Sequence, residues 1–300
     1  MSARNAVAGG AAGGAGAPST AGTGAAAGAA PAAASTAGAA PRFTLPRVAD
    51  APWKVLSWAI LIGLLAWWQW ASTTGAVNPT ILPAPTDIWA GFLLMLSDGT
   101  LANYVGVSLM RVFEGYLLGG GVGLVLGLIL GLSRKLEAVA NLFIGLLRPI
   151  PPIAWIPVLI LAFGIGEESK VLVIAIGSFW SLLLNTIEGV RAADHKLIEL
   201  SRVLVKDRRT VLTKIILPSA VPSIVTGARL GMSRAWGCVV TAEMIAASAG
   251  LGYLIQYARE LSQPALMFVG VAMIGLIGLV IDAVMMAVQK KLTYWNTVGH

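Results

Sequence analysis

The stretch VGVSLMRVFEGYLLGGGVGLVLGLILGL, Val105–Leu132, decides the fold. It is apolar over a length that crosses a bilayer, and its only charges are Arg111 and Glu114 near one end. Gly115, Gly119, Gly123, Gly127 and Gly131 recur every fourth residue, so on a helix they form one smooth face on which another backbone can approach closely. Such a face serves either as a seam on which helices slide or as static packing, and both require neighbouring helices. Arg111 and Glu114, three residues apart, share a helix face, where they either neutralise each other as a structural pair or line a pore.

The rest of the chain agrees. Of 300 residues, 57% are hydrophobic and 12% charged, about half the charged share of an ordinary soluble domain. Lone Cys238 cannot form an intrachain disulfide, and His195 and His300 are too few and too distant for a His/Cys metal site. Further spans are expected at Val55–Ala71, Val139–Phe163, Val171–Ile187, Ser219–Ala247 and Leu266–Val288. In the first, Trp53 and Trp58 stand about 20 Å from Trp67, Trp68 and Trp70, the separation of two interfacial belts. The fold class is therefore all-α, a polytopic transmembrane bundle of about six spans occupying residues 51–300. Residues 1–50, rich in Ala and Gly and poor in large apolar side chains, read as a disordered cytoplasmic tail without a signal peptide.

The net charge of +7 is unevenly placed. On one side of this parse lie Arg4, Arg42, Arg47, Lys54, Arg134, Lys135, Arg191, Lys196, Arg202, Lys206, Arg208, Arg209, Lys214, Lys290 and Lys291. The opposite loops hold Lys170 and Arg259. Short cytoplasmic loops carry the Lys and Arg excess, so both termini are expected in the cytoplasm of a multi-pass inner-membrane protein. The positive charge thus orients the chain rather than binding nucleic acid.

Two interior features carry chemistry. Arg148 is followed by Pro149, Pro151, Pro152 and Pro157, which remove amide donors and forbid a continuous helix. Broken backbone at membrane depth is tolerated where it is buried in protein or lines a cavity. A translocation path is one reading and a kinked packing helix the other. Arg229, Arg234 and Glu243 interrupt the fifth span, and neither arginine is spaced to pair with Glu243 within one turn. Candidate path residues are Arg111, Glu114, Arg148, Pro149, Pro151, Pro152, Arg229 and Glu243.

The loop at about 188–217 is too polar to be buried and too patterned to be a linker. Asp194 is placed to cap a short helix carrying Leu197, Leu200 and Leu204 on one face. A second stretch, Arg208 to Leu217, carries Val211, Leu212, Ile215 and Ile216 and is expected to end at Pro218. Such a pair offers a docking surface to a cytosolic partner or lies on anionic lipid.

Here the chain resembles a family. Glu199-Leu200-Ser201, then Val205, then Ile216-Leu217-Pro218 is similar to the EAA loop of ABC importer permeases. Ser108 to Val112 with Gly115-Tyr116, Leu147 to Pro152, Phe163 to Gly166, Leu184-Asn185-Thr186, Arg234-Ala235-Trp236, Ala242-Glu243-Met244 and Gly250-Leu251-Gly252 extend the likeness over nearly all the chain from residue 53. Together they look like the subfamily serving aliphatic sulfonates, taurine, nitrate and related small anions. The resemblance implies a type I importer fold and a second permease copy. It also implies an extracytoplasmic binding protein and a cytosolic ATPase dimer that holds ATP and Mg. Asp194, Leu197, Glu199, Leu200, Ser201, Leu204, Val205, Asp207 and Pro218 then belong to the ATPase-coupling loop. The family's Gly is Val205 here, and a β-branched residue is strained at positive φ. The turn is therefore expected to move to Lys206-Asp207, with Asp207 left-handed, or the loop to dock differently.

No P-loop ending in Gly-Lys-Ser/Thr occurs, and no paired carboxylates, His cluster or nucleophile elbow suggests catalysis. No cofactor or metal is expected on the chain itself. The competing class is an ion-gradient-driven secondary transporter or channel, for which Glu114, Glu243 and Asp282 are the acids within spans.

Overall fold

The computed structural model describes residues 50–294, so the expected N-terminal tail lies outside the described residues. All described elements are helices. Five are long and apolar enough to cross a membrane: α1 (Asp50–Thr73), α3 (Thr100–Leu132), α6 (Glu167–Arg191), α9 (Leu217–Ala246, continuous with residues from Arg208) and α11 (Pro264–Leu292). A bent pair of helices is apolar enough together to count as a sixth, broken crossing. Helix α4 (Arg134–Leu147) and the segment Pro152–Phe163, a 3-10 turn followed by α5 (Ile156–Phe163), meet at an angle of 83°.

That break follows from sequence. Arg148 to Pro151 cannot continue the α4 ladder because Pro149 and Pro151 lack the donor. Pro152 and Pro157 each fall in the first turn of the element that follows, where a missing amide costs nothing. Two helices escape a hydropathy reading, α2 (Pro85–Ser97) and α10 (Leu251–Glu260), because each is shorter than a crossing. Lys170 and Arg259, expected in loops, lie within α6 and α10.

Helix α6 is the axis of the bundle. Along α3, a Cβ on Gly115 would fall 2.6 Å from Ile174 Cβ, on Gly123 2.6 Å from the Phe179 carbonyl, on Gly127 2.6 Å from Thr186 and on Gly131 2.8 Å from Val190. Gly119 is the tightest, since a Cβ placed there would overlap the Ala175 carbonyl. The stripe is therefore a packed α3–α6 contact. On the opposite flank, α9 approaches through Gly227 against Asn185 and Gly231 against Leu182, while Gly177 of α6 receives Cys238. Small residues in both partners bring three backbones together, the usual source of helix adhesion in lipid.

Around this trio, Val112, Ile174, Ala235, Trp236, Val239, Leu251, Leu254 and Val269 form one buried apolar cluster joining α3, α6, α9, α10 and α11. Trp236 Nε1 donates to the Ile274 carbonyl at 3.1 Å, tying α9 to α11. At the other extreme, most of α1 is exposed, including Trp53, Trp58, Trp67 and Trp70. Its end is fastened by Trp68 Nε1 donating to the Pro83 carbonyl and Ser72 Oγ donating to the Leu82 carbonyl.

The helix expected to stop at Pro218 does not. Residues Arg208 to Ala246 run without interruption, and a π-turn at Leu212–Ile216 precedes the proline. The wider turn relieves the clash between the ring and the preceding turn, and Pro218 occupies a first-turn position of α9.

Two neighbouring glycines of α3 provide a sharp test. Gly119→Ala should destabilise the purified protein by about 2 kcal/mol or more, because backbone must move. Gly121→Ala, with nothing within 4 Å of the new methyl, should raise stability by about 0.5–1 kcal/mol through helix propensity. Thermal unfolding in detergent should move the midpoints in opposite directions.

Candidate functional site

A polar cavity of about 430 Å³ opens where the broken crossing meets α6 and α9. Its walls include Arg148, Pro149, Pro151 and Pro152 from the break, Trp180, Ser181, Asn185 and Glu188 from α6, and Arg234 from α9. Arg148 and Arg234 are exposed, and neither makes an ion pair among the described residues. With Glu188 as the acid in the lining, the cavity carries two cations against one anion. Asn185 Nδ2 donates to the Ser181 carbonyl at 2.8 Å, which leaves its oxygen and one amide hydrogen for other partners. The break thus brings four of the eight sequence-derived path residues together and adds Arg234, Asn185 and Trp180.

The other four lie elsewhere. Arg229 forks onto Asp282, Nε to Oδ1 at 2.9 Å and Nη2 to Oδ2 at 3.0 Å, and reaches Gln289, pinning α11 to α9. Glu114 is exposed and has no hydrogen-bonding partner among the described residues. The Arg111–Glu114 pair that the spacing allows does not form, because Arg111 turns inward, 4% exposed, and finds distant acids. Its Nε and Nη2 donate to the two oxygens of Glu167 at 2.5 and 2.7 Å, and its Nη1 donates to Glu243 at 2.9 Å and to the Ala249 carbonyl at 2.6 Å.

Glu243, 1% exposed, is saturated by its surroundings. It accepts from Ser108 Oγ at 2.8 Å and from the Gly252 amide at 2.9 Å, while Ser108 Oγ accepts the Leu251 amide at 2.9 Å. A buried carboxylate with a guanidinium, a hydroxyl and an amide around it meets the requirement that interior charge be paired and hydrogen-bonded. The network fastens the α9–α10 junction to α3. Sequence spacing could not reveal it, since the partners are 132 and 135 residues apart, although Ser108, Arg111, Glu243 and Gly252 all fall in the quoted motifs.

The loop of residues 188–217 folds as α7 (His195–Val203) and α8 (Arg208–Val211), the latter running into the π-turn. Asp194 caps α7, its carboxylate accepting the Lys196 amide at 2.8 Å. Leu197, Leu200, Leu204, Val211 and Ile215 line an apolar cleft of about 240 Å³ between the two helices. Ser201 is buried with its hydroxyl on the Ile198 carbonyl, while Glu199 is exposed. Asp207 accepts from Thr210 Oγ1 at 2.6 Å, and that bond holds its carboxyl below the usual range.

The turn between them corrects the sequence expectation. Val205 itself takes the left-handed conformation, with φ +50°, whereas Asp207 is extended at φ −67°. The Leu204 amide makes the last helical bond, to the Leu200 carbonyl at 3.0 Å, and the Lys206 amide reaches back to the Ser201 carbonyl at 3.0 Å, the 6→1 bond of a Schellman closure with valine where glycine is usual. A β-branched residue there costs about 1–2 kcal/mol. The closing hydrogen bond holds it, and its side chain is 90% exposed, so no neighbour adds a clash. Val205→Gly should stabilise this turn by about 1 kcal/mol. Limited proteolysis between Val203 and Asp207 should slow by about fivefold where local opening controls cleavage.

Residues 123–294 match the family described as the binding-protein-dependent transport system inner membrane component. A putative aliphatic sulfonates transport permease protein of Bacillus subtilis is 36% identical over 78% of this chain and 84% of its own. The taurine transport system permease protein of Escherichia coli is 32% identical over 80% and 90%. Among solved structures, an inward-facing methionine ABC transporter chain superposes with a TM-score of 0.57 at 19% identity, covering 67% of this chain and 97% of that one, which shows a shared fold. With the family matched over more than half its length and relatives above 30% identity over most of it, this chain belongs to the inner-membrane permease components of binding-protein-dependent ABC importers.

Proposed function

We propose that this permease carries a small organic or inorganic oxyanion, of the sulfonate or taurine kind, through the cavity at the broken crossing. The observation that carries the reading is the pair of cations, Arg148 and Arg234, facing one polar cavity with a single acid. Cationic side chains inside a membrane protein are costly unless they serve a pathway or are neutralised. Arg111 and Arg229 are neutralised by acids, whereas these two are not. The relatives' names, aliphatic sulfonates and taurine, agree in chemistry with that excess.

In this reading a soluble binding protein delivers the anion outside, and a second copy of the permease completes the pathway. ATP and Mg are held by a separate cytosolic ATPase. The ATPase grips the loop of α7 and α8, where Val203, Leu204 and Val205 form an exposed apolar tip beside Glu199. The fifteen Lys and Arg residues that the span assignment from sequence gathers on one side support a cytoplasmic location for the loop and both termini. Closure of the ATPases then shifts the helices between two packed arrangements.

The test is uptake into proteoliposomes containing the permease, its ATPase and its binding protein. ATP-dependent uptake of an alkanesulfonate or taurine is expected, and Arg148→Met or Arg234→Met should lower it about tenfold while assembly persists. Leu204→Asp should instead uncouple or dissociate the ATPase. Uptake that needs no ATPase and follows a proton or sodium gradient would establish the secondary-transporter reading and sink this one.

A further inference from the structure

Lys170 and Arg111 lie side by side beneath one acid. Both cations are 4% exposed, one in the first turn of α6 and the other on α3. Glu167 covers them, yet its own side chain is 60% exposed. One of its oxygens accepts from Arg111 Nη2 at 2.7 Å and Lys170 Nζ at 2.8 Å, and the other from Arg111 Nε at 2.5 Å. Three donors on two buried cations therefore grip the two oxygens of one solvent-facing carboxylate.

The charge balance makes this arrangement more than a brace. Arg111 has a second, permanent partner in buried Glu243, but Lys170 has its ion pair with Glu167 alone among the described residues. If Glu167 swings out, Arg111, Lys170 and Glu243 leave one uncompensated positive charge in the interior. Such a charge is strongly unfavourable until an anion replaces the lost one. Glu167 itself faces solvent, so an incoming anion reaches the cation pair without opening the core.

We infer that Arg111 and Lys170 form a binding site for the head group of a small oxyanion, a carboxylate, sulfonate or sulfate, and that Glu167 is its tethered occupant. The guanidinium edge presents two parallel donors matched to two oxygens of such a group, and the ammonium supplies a third. A visiting anion displaces Glu167 and inherits its bonds, while Glu243 and the Ala249 carbonyl hold Arg111 in place. The site is separate from the cavity of Arg148 and Arg234. It deepens the reading of the chain as an anion permease and rests on that reading for the identity of the visitor.

The experiment is thermal unfolding of the purified full chain in detergent, titrated with sodium acetate, sodium methanesulfonate or sodium chloride at matched ionic strength. In Glu167→Gln the tethered negative charge is removed without loss of bulk, and acetate and methanesulfonate should raise the midpoint saturably by about 3 °C beyond chloride. Adding Lys170→Met should abolish the response. Glu168→Gln, which alters an exposed neighbour that makes no ion pair among the described residues, should respond like the wild type. Should Glu167→Gln accumulate poorly, Glu167→Asp, one methylene too short to bridge both cations, should respond in the same direction at higher anion concentration. No oxyanion response in either Glu167 variant, or a response equalled by chloride, would overturn the inference. Uptake by the wild-type assembly is measured separately, so failure of anion transport is distinguishable from failure of this site.

Discussion

The close approach of α3 to α6 sets the position of everything else. Lipid supplies no hydrophobic pressure between helices, so adhesion must come from contact area, and contact area here comes from missing side chains. With Gly119 against the Ala175 carbonyl, two backbones touch directly. Because α9 approaches the other flank of α6 in the same manner, α6 is held between two partners while α1 remains largely bare. The flanking position of the broken crossing follows, since the tightest contacts are already taken.

Charge is distributed by the same logic. Each buried ion has a partner of opposite sign within reach; Lys170 and Glu167 pair within α6, and the other pairs join different helices, α3 to α9 and α6 through Arg111, α4 to α6 through Glu137 and Arg191, and, at a part-exposed site, α9 to α11 through Arg229. Directional bonds of this kind fix rotation about the helix axis, which a smooth glycine face leaves free. Away from the loops, cations without an ion pair gather at the cavity beside the prolines, where Arg148 and Arg234 face one acid. Adhesion, register and pathway are thus assigned to different residue types.

Much of the fold is legible in the sequence because its determinants are local. Hydropathy locates α1, α3, α6, α9 and α11, and proline spacing locates the broken crossing. What is not legible depends on chain segments far apart. Spacing alone pairs Arg111 with Glu114, but the glycine stripe turns the Arg111 side of α3 inward, toward acids 56 and 132 residues away. Four of the path residues gather at one cavity because the prolines that break the helix also line it. Asp194 caps its helix as its type and position suggest. Val205 shows the opposite, since a rule against left-handed valine yields to a closure that satisfies the Ser201 carbonyl.

The uninterrupted helix from Arg208 to Ala246 has a mechanical consequence. Its 39 residues amount to a rod of roughly 58 Å, nearly twice the thickness of the hydrocarbon core. One end is rooted in the amphipathic loop, and the other carries Glu243, three residues before the terminus. A tilt of about 5° imposed at the loop displaces the far end by on the order of 5 Å, the rise of one helical turn. The π-turn ahead of Pro218 and the interior Pro222 both sit close to the driven end, so any give in the shaft is concentrated there and the helix beyond Pro222 acts as a single lever.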